Sequence, residues 1–258
     1  LSNLEIRAGA SAVYTLGENP KVNLNNTVLC PKLLIGADGL HSQVRKLANL
    51  EALFPKLKRW GVRQHFNVEP WSVFVEIYWG PGLEAYVTPV SVSSVNVSLL
   101  WDAKRYKPEH GGKKLFASLL KEFPELQERI NKEDVMDESM AAGPLYQKTW
   151  SVANGKILLI GDAAGFFDPI TGEGISLAAK QALLLEKIVV PILQKKNENL
   201  EKRLAEYSRE FTQIYRPYHA MTRLVLLFRL WPKLTDRVIQ VLHSFPALFQ
   251  KLLSVNMR

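Results

Sequence analysis

Cysteine is nearly absent from this sequence, and its scarcity excludes several classes of protein. The one cysteine, Cys30, cannot form an internal disulfide framework or a metal site built from several cysteines. The five histidines lack the spacing of metal ligands, so we expect no metal site. No charged and then apolar leader follows Leu1, and a lone cysteine suits a reducing compartment, so we expect a cytoplasmic protein.

Long hydrophobic runs are also missing. The most apolar stretch, 224–228, is interrupted by Arg229 and is followed by Pro232, so it is too short to span a bilayer. The net charge is +8, but seven basic residues and one acidic residue lie from Arg216 onward. The rest of the chain is near neutral, which argues against a nucleic-acid-binding body. A hydrophobic content of 47% is ample for a packed core and argues against disorder.

Three regions differ in their pattern of apolar residues. Residues 1–53 contain short strands, the first at 4–7, and end in a helix that begins at Ser42. Residues 54–101 alternate polar and apolar positions as an antiparallel meander does, and helical segments follow around 112–122 and 124–131. Residues 147–215 contain a buried strand at 156–160 and two long helices, 174–190 and 200–215, the first stopped by Pro191. The sequence therefore predicts an α+β (α/β) fold.

The most informative stretch is 161–175, with the sequence GDAAGFFDPITGEGI, directly after the buried strand. Ligands of α/β sheets bind at such strand ends, where Gly161 and Asp162 lie. Gly172 and Gly174 then open a helix whose free N–H groups and positive dipole end suit a phosphate or a delocalised anion. A bare GDxxG would indicate no more than a strand, a loop and a capped helix, but the whole string favours a ligand site.

A second motif occupies 36–45, with the sequence GADGLHSQVR. Asp38 and Gly39 permit a tight turn at a strand end, and Ser42 can cap the helix that carries Arg45. On its own this string is equally typical of an ordinary capped turn.

Together the two motifs resemble the fingerprints of flavoproteins with the p-hydroxybenzoate-hydroxylase-like fold, nearest to geranylgeranyl-reductase-like and FixC-like oxidoreductases. Residues 161–175 are similar to the family pattern GDAAGxxxPxxGEGI, and 36–45 to GADGxxSxVR, in the family's order along the chain. The resemblance implies a partial FAD/NAD(P)-binding Rossmann-like domain with an inserted antiparallel substrate sheet. It also implies FAD as the cofactor and NAD(P)H as a candidate electron donor.

The resemblance implies roles for individual residues. Asp162 would hold a ribityl hydroxyl, Pro169 would lie against the ring system, and the backbone of 172–175 would cradle the pyrimidine end. Asp38 would lie near the pyrophosphate and serve FAD and NAD(P)H together. The implied cofactor-binding residues are Asp38, Gly39, Gly161, Asp162, Ala163, Pro169, Gly172, Glu173, Gly174 and Ile175.

One family feature is missing from these 258 residues: the strand, GxGxxG turn and helix that bind the ADP half of FAD. The nearest string, 80–85, is followed by strand-like residues, so we interpret it as a hairpin turn. We expect the ADP-binding part to lie outside this sequence. Because FAD affinity is shared between both ends of the cofactor, we expect the isolated chain to bind FAD weakly or not at all.

The candidate substrate residues lie on the predicted meander. Arg63 and His65 share a strand face, and Glu76, Tyr78 and Tyr86 are expected on the polar face of the sheet, where they would line a pocket. An ordinary surface location is the simpler interpretation for each. A flavin supplies the reactive atom itself, so we predict no catalytic residue by name.

These observations divide the chain into a partial FAD-binding domain at 1–53 and 147–215, a substrate-binding sheet domain at 54–146, and a basic tail at 216–258. The tail has the spacing of an amphipathic helix and is either a peripheral membrane contact or a helix packed on the body.

We expect an FAD-dependent oxidoreductase that acts on a small or lipophilic substrate. The reaction is either the reduction of an isoprenoid-like double bond or an NAD(P)H-dependent monooxygenation. A truncated, non-catalytic module that binds a lipid or a protein is the alternative.

Overall fold

The computed structural model describes residues 4–17, 19–25, 27–52, 58–109, 111, 114–130, 134–194 and 199–228, with positions 237, 240, 243–245 and 247. The chain divides into two compact units. Unit 1 comprises Leu1–Leu53 and Gln147–Arg258, and unit 2 comprises Phe54–Tyr146. Most of the predicted tail lies outside the described residues.

Strands in the described residues fall into three sheets. They are β1 (Ala12–Thr15), β2 (Lys21–Leu24), β3 (Thr27–Leu29), β4 (Leu34–Gly36), β5 (Arg59–Phe66), β6 (Glu76–Gly80), β7 (Leu83–Ser91), β8 (Ser94–Asp102), β9 (Met140–Ala142), β10 (Ala153–Asn154) and β11 (Ile157–Leu159). The helices are α1 (Gln43–Leu47), α2 (Leu115–Leu120), α3 (Pro124–Arg129), α4 (Gly174–Gln194) and α5 (Leu200–Phe228).

Unit 1 contains a small sheet in which two distant segments of the chain meet. Its strand order is β10-β11-β4, and β11 pairs with β4 in parallel, with Leu159 opposite Gly36. Parallel strands deliver their carboxyl ends to the same edge of a sheet. The two sequence motifs, which begin at Gly36 and Gly161, therefore leave the sheet side by side.

A glycine is required where β4, β11 and α1 come together. A Cβ atom added at Gly36 would lie 2.7 Å from Leu159 Cδ2 and 2.9 Å from Val44 Cβ, which is closer than packed atoms approach. The core of unit 1 continues from this point into α4 and α5, where Val189 and Tyr207 are fully buried. Side chains of α1, α4 and α5 therefore share one core with β11.

Unit 2 is an antiparallel sheet with the order β6-β7-β8-β5-β9, packed on α2 and α3. Directly opposed residues of antiparallel strands share a face, so the register assigns every side chain to one of two faces. The buried face carries alternate residues of three strands, β5, β7 and β8, and packs against helix residues such as Phe116 and Leu119. Its sheet residues are Val62, Phe66, Leu83, Ala85, Val87, Val95, Val97, Leu99 and Trp101.

Three local predictions are wrong. Residues 4–7 form no strand, although they are apolar at alternate positions. Helix α4 runs through Pro191 to Gln194, and α5 runs through Pro217 to Phe228 instead of ending at Tyr215. A proline removes one backbone hydrogen bond and disturbs the preceding turn, but packing of the apolar face can hold the helix together across it. The buried Tyr218, beyond Pro217, provides such packing.

Within the described helices, none is both long and apolar enough to cross a membrane.

Candidate functional site

The turn after β11 begins with a glycine in a left-handed backbone conformation. Gly161 has a φ of +60°, a backbone conformation that favours glycine, and it opens a 3₁₀ turn, Gly161–Ala163. Its backbone N–H donates to Gln181 Oε1 at 2.6 Å, and Gln181 on α4 is 1% exposed. The turn is therefore fixed against α4 by a buried side chain that the sequence analysis did not identify.

Asp162 presents an unsatisfied carboxylate on this turn. Burial raises the pKa of its side chain, and within the described residues no donor reaches either carboxylate oxygen. Its backbone oxygen accepts from Arg45, at 3.4 Å from Nη1, so the turn is held while the side chain stays available. A half-buried acceptor without a donor suits a ligand hydroxyl group.

The loop that follows is organised by a cap and a left-handed glycine. Asp168, fully buried, accepts from the backbone N–H of Ile170 at 3.1 Å and opens the 3₁₀ turn Pro169–Thr171. Gly172 ends this turn with a φ of +70°. The hydroxyl group of Tyr218 on α5 donates to the Asp168 carbonyl at 3.1 Å, so a hydrogen bond fixes the loop to α5.

Helix α4 begins at Gly174, as the glycine pattern predicts. The first N–H groups of a helix have no acceptor within it, and they carry the positive end of its dipole. Burial raises the pKa of Glu173, and Lys180 partly opposes that rise. Ile175 is 88% exposed, which is unusual for an isoleucine and leaves this end of the helix uncovered by its own chain.

Asp38 and Ser42 form the cap of α1. Asp38 Oδ2 accepts from the N–H groups of Gln43 at 2.7 Å and Val44 at 3.2 Å, and its Oδ1 accepts from the Ser42 hydroxyl at 2.5 Å. Burial tends to raise the pKa of Asp38, but these hydrogen bonds outweigh it and the pKa is lowered. Gly39 adopts a φ of +75° at the turn. Asp38 thus has a structural role beside any role toward a ligand.

Arg45 joins the two motifs, a role that the sequence analysis missed. The residue is 1% exposed, and its guanidinium donates to the carbonyls of Leu40 at 2.6 Å and Ala163 at 3.1 Å, besides the longer contact to Asp162. The family pattern GADGxxSxVR includes an arginine at position 45. Only the parallel pairing of β4 and β11, however, brings the second motif within reach of its side chain.

All ten predicted cofactor-binding residues lie in unit 1, two in the turn after β4 and eight between the end of β11 and the first turn of α4. The fit to the flavin end of FAD rests on three observations. Asp162 lacks a donor, and Gly172 and Gly174 leave open space where a Cβ atom would lie. Gly161 lies beside Ala178, one turn into α4, so the turn bearing Asp162 and the start of that helix are neighbours. That these groups contact the cofactor stays a prediction.

The predicted substrate residues do not share one face, because Tyr86 pairs with Ile77 and not with Glu76 or Tyr78. Glu76 and Tyr78 lie on the buried face, where Glu76 Oε2 accepts from Tyr78 Oη and from Trp71 Nε1, both at 2.8 Å. The hydrogen bond from Trp71 contributes most to lowering the pKa of Glu76. The expectation of one pocket lined by all three residues is therefore wrong.

Arg63, His65 and Tyr86 lie together on the opposite face. The register places Arg63 opposite Ser98, which is opposite Tyr86, and places His65 opposite Asn96, which is opposite Thr88. We call the set Arg63, His65, Tyr86, Thr88, Asn96 and Ser98 the polar face. Asp137, which the sequence analysis missed, contacts it with its Oδ2 at 2.7 Å from His65 Nδ1. No local pattern marks Asp137, since it lies 72 residues further along the chain.

Aromatic side chains of α5 pack behind the loop of the second motif. The ring centroids of Phe167 and His219 are 4.0 Å apart, and Tyr215 stacks on Phe211 with 5.6 Å between the ring centroids. Burial lowers the pKa of His219, and Arg223 and Lys148 add to the effect. Across the described part of the chain, no cluster of three histidine, cysteine or acidic side chains has the arrangement of a metal site.

Comparison with known proteins finds one matching family profile and several similar curated proteins. The profile of the FAD binding domain family matches residues 7–218. The chain is similar to the digeranylgeranylglycerophospholipid reductase of Methanocaldococcus jannaschii, with 28% identity over 202 residues, which are 74% of this chain and 49% of that protein. The enzyme of the same name from Methanocella arvoryzae is 27% identical over 165 residues, 61% of this chain and 40% of that protein. The chain spans less than half the length of these relatives.

Solved structures share the fold at lower identity. A variant of the flavin-dependent brominase Bmp2 has a TM-score of 0.72 and 17% identity, over 96% of this chain and 70% of that one. The OxyS anhydrotetracycline hydroxylase from Streptomyces rimosus has a TM-score of 0.70 and 19% identity, over 95% and 51%. Halogenase PltM in complex with phloroglucinol and FAD has a TM-score of 0.70 and 17% identity, over 83% and 48%.

Proposed function

The chain belongs to the FAD binding domain family, and on that premise we propose that it is the flavin-binding and substrate-binding portion of an FAD-dependent oxidoreductase. The observation that carries the proposal is the half-buried, donor-free carboxylate of Asp162 beside the start of α4. An ordinary strand–loop–helix needs no acid at this point, and partial burial of a carboxylate with no donor among the described residues costs free energy.

The two motifs of unit 1 supply the groups that hold FAD in this proposal. The Asp162 carboxylate accepts a ribityl hydroxyl, the free N–H groups at the start of α4 stabilise negative charge on the pyrimidine end, and Pro169 borders the ring. Asp38 lies toward the pyrophosphate and, as a further proposal, toward NAD(P)H. When bound, the flavin supplies the redox chemistry, and the protein binds and orients the substrate and excludes water.

The substrate is a small or lipophilic molecule, and two reactions are proposed for it. Reduction of an isoprenoid-like double bond is supported by the names of the relatives with 24% to 28% identity, which are lipid reductases. NAD(P)H-dependent monooxygenation is supported by the polar face, since its hydrogen-bonding groups suit an oxygen-bearing substrate better than a bare hydrocarbon. Peripheral membrane contact through 216–258 stays a prediction, because most of that segment lies outside the described residues.

The cofactor assignment can be tested by flavin content. We expect the complete gene product to purify with bound FAD and Asp162→Ala to lose at least tenfold in FAD affinity, the loss of a hydrogen bond to a charged group. Glu201→Gln, at an exposed acid of α5, is the matched control and should keep full flavin content. Full retention of FAD by Asp162→Ala would contradict the assignment.

The two reactions can be distinguished by mass spectrometry of the product. The FAD-loaded protein is supplied with NADPH, NADH or reduced ferredoxin and a lipid that carries geranylgeranyl chains, with and without oxygen. Hydrogen addition without oxygen indicates the reductase, and oxygen incorporation indicates the monooxygenase. Flavin that no donor reduces would favour the alternative, a non-catalytic module that binds a lipid or a protein.

A further inference from the structure

Three basic side chains of unit 1 lie close together beside Phe167, where the loop of the second motif packs against α5. The ring centroids of Phe167 and His219 are 4.0 Å apart, and the guanidinium carbon of Arg223 is 5.9 Å from the centroid of Phe167. His219 and Arg223 are one turn apart on α5, so they share a face of that helix. Lys148 is the third base, because its charge acts on His219 together with that of Arg223.

Lys148 is positioned by the segment that leads into unit 1. The backbone N–H of Gln147 donates to the Phe166 carbonyl at 2.6 Å, and the N–H of Phe166 donates to the Gln147 carbonyl at 2.8 Å. The Thr149 hydroxyl donates to the Ala164 carbonyl at 2.7 Å. These hydrogen bonds on both sides of Lys148 fix its backbone against the loop of the second motif.

Within the described part of the chain, no acid neutralises these bases. Lys148, His219 and Arg223 form no salt bridge there. Burial contributes most to lowering the pKa of His219, and the positive charges of Arg223 and then Lys148 lower it further. The imidazole is therefore neutral at pH 7, and an anion bound beside it would raise its pKa.

The other titratable groups near this cluster do not supply the missing negative charge. Tyr215 faces His219 with 6.0 Å between the ring centroids, and a tyrosine is neutral at pH 7. Asp168, the next residue of the loop, is fully buried and caps the 3₁₀ turn that follows. Glu51 pairs with the segment of Lys148 but accepts from a glutamine side chain at 3.0 Å. The three bases therefore suit an anion from outside the chain.

We propose that Lys148, His219 and Arg223 bind a phosphate ester beside Phe167. A phosphate group carries up to two negative charges and several acceptor oxygens, so it can accept from an arginine fork and from two further donors on other sides. The site goes beyond the proposed function, because none of the three bases is among the residues assigned to FAD. The phosphate belongs either to a soluble ester or to the head group of a lipid, and the experiment below separates these two sources.

The titration of His219 tests the site first, in ¹H–¹³C spectra of the complete gene product labelled at histidine. His219→Phe keeps a ring beside Phe167 and assigns the signal among the five histidines of this sequence. Sulfate is the first probe, because its charge stays constant across the titration of a histidine. We expect sulfate to raise the pKa of His219 more than sodium chloride does at the same ionic strength. Sulfate affinity, measured by calorimetry, should rise as the pH falls through that pKa, and His219→Phe should lose this dependence.

The contribution of the other two bases is tested with glycerol 3-phosphate. We expect Arg223→Gln and Lys148→Gln each to weaken its binding about tenfold at pH 7, the loss of one hydrogen bond to a charged group. Both side chains are exposed, so neither substitution should prevent folding. Lys202→Gln, at an exposed lysine in the first turn of α5, is the matched control: it removes the same charge and should leave the affinity unchanged.

Dihexanoyl phosphatidic acid carries the same phosphate group on two short acyl chains. If it binds more tightly than glycerol 3-phosphate and the binding weakens in Arg223→Gln, the site accepts a lipid head group. If it binds no more tightly, the site accepts a soluble ester. The proposal is overturned if neither probe shifts the His219 signal more than sodium chloride does, or if binding survives in the double variant Lys148→Gln with Arg223→Gln. These readouts do not require flavin, so loss of FAD binding would contradict only the proposed function.

Discussion

The two units build their candidate sites in opposite ways. In unit 1 the candidate cofactor-binding groups come from two short stretches, 36–45 and 161–175. Most of them are backbone atoms of these stretches or side chains of neighbouring residues in the same stretch. In unit 2 the polar face is assembled from side chains of three strands and a segment 72 residues away. A site made of consecutive residues can be read from a sequence, whereas a site made across strands depends on register.

The buried arginines of the two units show the same contrast. Arg45 in unit 1 donates to neutral backbone carbonyls, while Arg59 in unit 2 forms two hydrogen bonds to Glu84, at 3.1 Å and 2.7 Å. The side chains of Arg59 and Glu84 are both fully buried. The guanidinium of Arg59 is therefore hydrogen-bonded directly to a carboxylate, whereas that of Arg45 is hydrogen-bonded to carbonyls and stabilised in addition by the charges of Glu51 and Asp38.

The largest expected effect follows from breaking the pair in unit 2. Glu84→Leu removes from the buried Arg59 guanidinium the carboxylate that accepts two of its hydrogen bonds, and we expect a loss of about 3–5 kcal/mol in the free energy of unfolding. Urea unfolding measures the loss, and hydrogen exchange should localise it to β5 and β7. The matched control is Glu206→Leu, which breaks the exposed Arg203–Glu206 pair and should cost less than about 1 kcal/mol.

The double variant Arg59→Met with Glu84→Leu removes both charges. Because the buried charge is gone, most of the lost stability should return. A single variant that costs no more than the exposed control would show that the pair does not stabilise unit 2, and the contrast between the two arginines would fail.

A smaller effect is expected from Arg45 in unit 1. Arg45→Met removes donors from the Leu40 and Ala163 carbonyls without stranding a charge, so we expect a loss of about 2–3 kcal/mol. Hydrogen exchange should rise at the Gly161–Ala163 turn while the sheet of unit 2 stays protected. Arg45→Lys, which keeps one donor group, should give an intermediate loss. An equal increase in hydrogen exchange in both units would contradict the expectation that the effect of Arg45→Met is confined to unit 1.

Prediction from sequence succeeded where the controlling contacts are local. The α1 cap by Ser42 follows from the preference of serine for that position. The string 80–85 is confirmed as a hairpin, with β6 ending at Gly80 and β7 starting at Leu83. Each of these features is decided by residues within a few positions of one another.

Prediction failed where pairing or packing over long distances decides. Alternation grouped Glu76 with Tyr78 correctly within β6, but it could not say which face of β7 aligns with them. That choice is fixed by the hairpin register, which places Glu76 opposite Val87. The link from Arg45 to the second motif needs the parallel pairing of β4 and β11, and the continuation of α5 past Pro217 needs the burial of Tyr218.

The smallest expected effect concerns pH and has opposite signs at the two carboxylates of unit 1. Burial raises the pKa of Asp162 in the folded chain, so its ionisation destabilises the fold as the pH rises through that pKa. Asp162→Asn should therefore be more stable than the wild type at pH 7, without FAD, and the difference should vanish below the pKa of the unfolded chain. Urea midpoints across this range give the measurement.

Asp38 provides the opposing case. Hydrogen bonds from Ser42 and the α1 backbone outweigh its burial and lower its pKa, so its ionised form contributes stability above the unfolded pKa that is lost as the pH falls through the folded one. Asp38→Asn should be less stable than the wild type at pH 7, with the two converging in acid. If both variants changed stability in the same direction, Asp162 would not be the unsatisfied carboxylate described here. The partly buried carboxylate at the end of β11 would then no longer support the proposed ligand site.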